Sequence, residues 1–476
     1  MPSRNMIETR SRVGRLQRLW QLWVRALRGD TEDFTTGPIG TAVFLLSVPM
    51  VLEMALESVF AVTDIFFVSK LGADAVAAVG LTEAAITLLY AVAIGLSMGA
   101  TAMVARRVGE KKHEDAALVA GQTLWVGLIT SVVVGAAGLL YAEDILRLMG
   151  AGDAVVEIGS GYTTWLLGGS LTISWLFLIN AIFRGAGDAG IAMRSLWLAN
   201  GINIVLDPLL IFGIGPFPEM GVTGAAMATT IGRGCGVLFQ LWMLCAVTDR
   251  IRLHWRHLRL SPPVMVRLLR VSAGGVGQFI IGTSSWIFLA RIIASYGSDP
   301  VAGYTIALRV IIFTIMPAWG LSNAAATLVG QNLGAGKPER AERSVWICVK
   351  YNVTFMLVVA VLFIIFAPQL LGLFTTDPQV TRYGVDTLRI LSLGYCFYGL
   401  GMVTTQGLNG AGDTDTPTLI NFVCFWMLQI PLAWWLAGSA GLGPQGVFMA
   451  VPIAETFLAI WTVWVFRKGR WKARQI

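Results

Sequence analysis

The sequence predicts an all-α integral membrane protein of twelve transmembrane helices in two homologous six-helix lobes. Three observations carry this. The 476 residues are 55% hydrophobic and only 13% charged, against roughly 25% charged in an ordinary soluble domain. The apolar residues fall into runs long enough to cross a bilayer, where a helix satisfies every backbone group within its own segment. Finally, three separated segments repeat at one offset. Val104, Gly109, Glu114 and Ala116 precede Val329, Gly334, Glu339 and Ala341 by 225 positions, and Gly185-Ala186-Gly187-Asp188 precedes Gly410-Ala411-Gly412-Asp413 by the same distance. Gly72, Asp74, Val76 and Ala77 match Gly297, Asp299, Val301 and Ala302 in the same way. Six helices per repeat is an even number, so both halves keep one orientation and are related by an axis along the membrane normal.

Twelve runs centre near Glu53, Thr87, Val126, Leu171, Val205, Val237, Ile281, Pro317, Val358, Tyr395, Leu428 and Phe457. They divide the chain into a basic amphipathic segment (1–37), an N-lobe (38–248), a linker (249–266), a C-lobe (267–466) and a basic tail (467–476). In the first segment Leu16, Leu19, Trp20, Trp23 and Leu27 recur at helical spacing among arginines, the pattern of a helix lying on a membrane surface or of a disordered basic tail.

The net charge of +7 does not point to nucleic acid, because its distribution follows the helices. Residues 1–34 hold seven Arg, and alternate connections plus the tail bring one side to twenty-seven Lys and Arg. The other side has Lys70, Arg147 and Arg382, with Arg389 near the start of the next run. By the positive-inside rule both termini are cytoplasmic and the protein is a multi-pass protein of the cell or inner membrane.

Catalytic and cofactor chemistry finds no support. There is no phosphate-binding G-x-x-x-x-G-K-[ST] loop. Gly185 to Gly190 fits G-x-G-x-x-G but lies between two membrane helices rather than between a strand and a helix, and reads as a tight turn. The five cysteines have no metal or redox spacing, and His113, His254 and His257 fall in loops. No cofactor and no metal are expected, and the protein reads as a non-enzyme. An H⁺ or Na⁺ would serve only as coupling ion.

Ionisable groups inside membrane helices are costly and face a cavity or a partner. The first helix carries Glu53, Glu57 and Asp64 on one stripe, and the fifth carries Asn200, Asn203 and Asp207 on another. Pro208 follows Asp207 and is expected to kink that helix, freeing carbonyls beside the carboxylate. At the repeat offset Glu53 maps to Gln278, Asp64 to Leu289 and Asp207 near Ile430 to Leu432. Buried acids are therefore expected in the N-lobe alone, and an asymmetric pair suggests a task performed once per molecule, namely ion coupling. Arg233, Arg291 and Arg309 also lie within apolar runs, to pair with a glutamate or to snorkel.

These segments resemble the multidrug and toxic compound extrusion (MATE) family in its DinF-like branch. The residues concerned are Pro49 through Val62-Thr63-Asp64 to Leu71-Gly72, Asn180 to Asp188, Asn203-Ile204-Val205-Leu206-Asp207-Pro208, and Gly330-Gln331-Asn332-Leu333-Gly334-Ala335-Gly336. The resemblance implies a V-shaped cavity between two lobes and export of organic cations against H⁺ or Na⁺. It implies a cation-coupling site at Asp64, Asp207 and Asn203, and a substrate cavity lined by Asn180, Tyr162, Asn200, Glu53 and Gln278. The NorM-like branch has acids in helices 7 and 10, where this chain has Gln278 and no acid from Leu391 to Gln406, which argues against a C-lobe sodium site. The expected partners are small organic cations and the lipid bilayer, with no nucleic acid and a monomeric chain. The alternative function is a lipid-linked saccharide flippase, served by the intramembrane arginines.

Overall fold

A computed structural model describes residue 17, residues 20–29, residues 32–248 and residues 250–476. The spans are α1 (Ile39–Ser69), α2 (Ala73–Gly109), α3 (His113–Leu148), α4 (Asp153–Gly168 with Ser170–Ala186), α5 (Ala189–Ile211) and α6 (Gly221–Val247). The second set is α7 (Pro262–Ala294), α8 (Ser298–Gly334), α9 (Pro338–Gly372), α10 (Pro378–Leu393 with Tyr395–Gly410), α11 (Asp415–Ala437) and α12 (Pro444–Arg467). Ten are single helices long and apolar enough to cross a membrane, and α4 is an eleventh, bent by 41° between its halves. The twelfth, α10, is less apolar because Arg382, Asp386 and Arg389 stand in its first half.

The breaks in α4 and α10 fall at Gly169 and Gly394, 225 positions apart like the sequence repeat. Other backbone signals follow the same offset. Gly72 and Gly297 precede α2 and α8 with φ of 106° and 116°, and Gly187 and Gly412 close the α4 and α10 turns with φ of 90° and 82°. Only glycine adopts such angles without strain. Thus the segment Gly185 to Gly190 holds a tight turn at Gly187-Asp188, between α4 and α5, with Gly187 its left-handed residue.

The lobes meet at the face carrying the chain termini, through reciprocal contacts. Gln331 on α8 donates to the Gly185 carbonyl at 2.9 Å, and its repeat mate Arg106 on α2 donates to the Ala411 carbonyl at 3.4 Å. Gly109 packs on the backbone of Gln331, while Gly334, its mate, packs on that of Arg106. A pseudo-two-fold axis normal to the membrane generates this pattern, because each patch meets its own counterpart. A side chain at either glycine would overlap backbone. Gly109→Val is therefore expected to disfavour closure of this face. In a Thr327→Cys background, whose native Thr327 hydroxyl donates across the lobes to the Arg184 carbonyl at 3.0 Å, it should raise thiol-reagent access at least tenfold.

Leu88, Val133, Leu140, Ile287, Trp434 and Phe457 are exposed, as a lipid-facing surface requires. Before α1, residues 20–28 are helical, with Trp20 and Trp23 exposed and Ala26 buried. Leu16 and Leu19 lie outside the described residues.

The α4–α5 turn buries Asp188 beside Arg250 and Arg194, and burial pushes its carboxyl up to about 6 from 3.8 despite those two cations. The folded state thus holds this proton more tightly than the unfolded chain. The resulting stability is fully present below 3.8 and is lost as pH rises through about 6. Asp188→Asn should flatten this part of the stability profile between pH 4 and 7 in thermal melts.

Candidate functional site

Polar side chains inside the N-lobe form two groups along α1. The first is at mid-helix. Glu53 is fully buried and accepts from Arg184 Nη1 at 2.8 Å and from Asn180 Nδ2 at 3.1 Å. Asn180 Oδ1 accepts in turn from Ser195 at 3.0 Å and Gln240 at 2.6 Å. One turn along, Glu57 accepts from Asn200 Nδ2 at 3.1 Å and lies 3.9 Å from Arg233, which donates to the Tyr90 hydroxyl at 3.1 Å. Glu53 and Glu57 are thus ion-paired. Asn180 and Asn200 serve to orient them.

The C-lobe solves the same position without charge. Gln278 and Asn409 are the repeat mates of Glu53 and Arg184, and they exchange two side-chain hydrogen bonds of 3.0 and 3.1 Å. Arg184 belongs to the Asn180–Asp188 segment, and sequence reasoning placed it with the basic loop residues. Its guanidinium instead sits inside the lobe, its side chain 9% exposed.

The second group lies nearer the face opposite the termini. Asp64 and Asp207 are 7% and 0% exposed, close enough for their charges to interact. Asn203 donates to Asp207 Oδ1 at 3.3 Å and to Thr229 Oγ1 at 3.0 Å. Asp64 Oδ1, Asn203 Oδ1 and Asp207 Oδ2 are buried and accept no hydrogen bond within the protein. Tyr162, 3% exposed, and Glu83 stand within electrostatic reach of Asp64. Glu83 was missed in the sequence because polar residues interrupt the apolar run around it; it lies well inside α2. The backbone remains helical through Pro208 and the helix ends one turn later, at Ile211.

Two joined cavities lie between the lobes. The first, about 220 Å³, is walled by Met54, Glu57, Tyr90, Phe177, Arg184 and Asn409 among others. The second, about 330 Å³, extends into the C-lobe and shares Met98, Met316, Trp319 and Gln406 with the first. Of the five residues assigned to the substrate cavity, Gln278 stands in the second wall, while Asn180, Tyr162, Asn200 and Glu53 are packed within the N-lobe. Arg291 and Arg309 are exposed and form no ion pair among the described residues.

The expectation that buried acids occupy the N-lobe alone is not met. Glu455 on α12 is 6% exposed and lines the second cavity. Its repeat mate is Thr230, so comparison started from the N-lobe acids passes over it.

The family model MatE matches residues 49–209 and 276–435, one match in each lobe. The chain belongs to the MatE family. Like other members it is a membrane transporter and not an enzyme. It is 28% identical over 456 residues to the probable multidrug resistance protein YoeA of Bacillus subtilis (strain 168), covering 94% of this chain and 97% of that protein. It is 29% identical over 441 residues to the probable multidrug resistance protein NorM of Thermotoga maritima, covering 90% and 93%. A FAD transporter of Shewanella oneidensis is 27% identical over 443 residues, covering 90% and 95%. A MatE-family structure described as the outward-facing conformation of a multidrug resistance transporter superposes with a TM-score of 0.87 at 28% identity, covering 94% of this chain and 99% of that one.

Proposed function

We propose that this MatE protein is a secondary antiporter that exports amphipathic organic cations in exchange for an inward-moving proton, with Na⁺ as the rival coupling ion. The observation that carries the reading is the cluster of Asp64, Asn203 and Asp207, whose three buried oxygens accept no hydrogen bond within the protein. A buried carboxylate with an unmatched oxygen is expensive in low dielectric, and two together more so. A proton, or a small cation held by oxygens, relieves that cost. The multidrug names of several relatives support the substrate class.

The charge distribution along the sequence supports a cytoplasmic terminal face. The lobes touch at that face, which on this reading makes the conformation outward-facing. Protonating Asp64 and Asp207 on the outside removes buried charge from between α1 and α5, and α1 can then repack. Exchange follows when proton and substrate favour opposite conformations, since a ligand shifts an equilibrium only by its differential affinity. Both lobes lie on one chain, so a monomer suffices.

The test is dye efflux from proteoliposomes, first under an imposed pH gradient and then under a Na⁺ gradient. Ethidium efflux at least tenfold above background with the pH gradient alone is expected. Efflux that needs Na⁺ alone would keep the site and change the ion. Selective movement of a lipid-linked anionic sugar, lost on replacing Arg291 or Arg309, would contradict the cation reading.

A further inference from the structure

Glu455 is the twelfth residue of the 24-residue helix α12, and so sits near mid-membrane. Its carboxylate forms no ion pair or hydrogen bond among the described residues, unlike Glu53 and Glu57, which have arginines. It faces the C-lobe cavity of about 330 Å³, within the range of sites that take drug-sized ligands. That cavity is walled by Trp286, Phe279, Trp319, Tyr398 and Phe425. The ring faces attract cations, and the only formal charge among the lining residues is the single carboxylate.

A purely structural role does not require the charge. Polar positions deep in the same lobe are filled by amides, as Gln278 and Asn409 show with their reciprocal bonds. A lone acid in an aromatic chamber, with no Lys or Arg in its wall, suits a visitor that carries one positive charge and an apolar body. The chamber opens to the central cavity through Met98, Met316, Trp319 and Gln406, side chains that include the most adaptable apolar type. Its occupant therefore reaches the path between the lobes.

We propose that Glu455 and the aromatic walls around it form a second cation-recognition site, in the C-lobe, that binds an aromatic organic monocation. This deepens the transport reading above by giving its substrate a place away from the Asp64–Asp207 cluster. The division of labour is physical: the N-lobe cluster has small, unsatisfied oxygens suited to a proton or bare ion, and the C-lobe chamber has rings suited to an organic body.

The experiment is equilibrium binding to purified protein in lipid nanodiscs, with no gradient. The probes are tetraphenylphosphonium and, as an uncharged comparator of similar bulk, triphenylphosphine oxide. Glu455→Gln should weaken tetraphenylphosphonium binding at least tenfold and leave triphenylphosphine oxide within twofold. Glu455→Asp should retain cation binding within about threefold. Unchanged cation binding in Glu455→Gln, or equal weakening of both probes, would overturn the proposal. In the wild type, tetraphenylphosphonium should slow carbodiimide labelling of Glu455 at least tenfold, whatever the folding of the variants; labelling that ignores the cation would overturn it too. Because no gradient is present, failure here leaves proton coupling at Asp64 and Asp207 standing. Conversely, loss of that coupling claim leaves this binding result intact.

Discussion

Replacing Asp64 by Asn is expected to abolish proton-driven ethidium efflux, at least a hundredfold loss, while the protein remains folded and inserted. Asp207→Asn should do the same. Each acid is almost wholly buried, and each has an oxygen that no protein donor meets. An amide is cheaper to bury than a carboxylate, so a merely architectural aspartate would tolerate the change or gain stability. A proton carrier would not, because Asn mimics the protonated state permanently. The two carboxyls are neighbours in one buried cluster, so if they share the carried proton the double variant should be no worse than either single one. Melting temperatures within a few degrees of the wild type, together with lost transport, are the expected combination. Transport lost only in step with thermal stability would assign the pair to structure.

The second large effect concerns the Glu53–Arg184 ion pair. Arg184→Ala should destabilise the N-lobe by about 3–5 kcal/mol, because it leaves Glu53 charged and buried with Asn180 as its remaining donor. Glu53→Ala should be comparably harmful by stranding the guanidinium. The C-lobe supplies the rescue, since Gln278 and Asn409 occupy the same positions and bond reciprocally. The double variant Glu53→Gln with Arg184→Asn is therefore expected to recover most of the stability lost in Arg184→Ala, measured by thermal melting in detergent. Transport by this double variant tests whether the charged pair also serves the central cavity, whose wall includes Arg184. If stability returns and efflux does not, Arg184 acts on the substrate path as well as on the fold.

The fold was legible because its two determinants are written along the chain: apolar length sets each span, and a common offset sets the symmetry. That offset reappears in the backbone, in the left-handed glycines and in the paired breaks at Gly169 and Gly394. The site was legible only in part. Asp64, Asn203 and Asp207 share one region because α1 and α5 pack together, and helical spacing put each stripe on one face. Spacing alone does not say which of three acids in α1 finds a cation, and Glu53 and Glu57 are the two that do. Arg184 was hidden by its place beside a glycine turn, one helical turn from the boundary where loop and helix are hard to tell apart. Glu83 was hidden because polar residues interrupt the apolar run around it, although it lies well inside α2. Glu455 was hidden because a repeat reveals what both halves keep, and it stands where the first half has Thr230. Pro208 falls in the last turn of α5, so it leaves the helix unbroken.

The most direct test of coupling at the Asp64–Asp207 pair is proton release on substrate binding. Purified protein in weakly buffered detergent solution is mixed with tetraphenylphosphonium, and a pH indicator follows the protons. If the cation and the proton favour opposite states of the N-lobe cluster, the wild type releases protons over the pH range in which the pair titrates, and the Asp64→Asn, Asp207→Asn double variant releases none. Equal release from the wild type and the double variant would contradict the account, since the exchanged proton would then reside elsewhere.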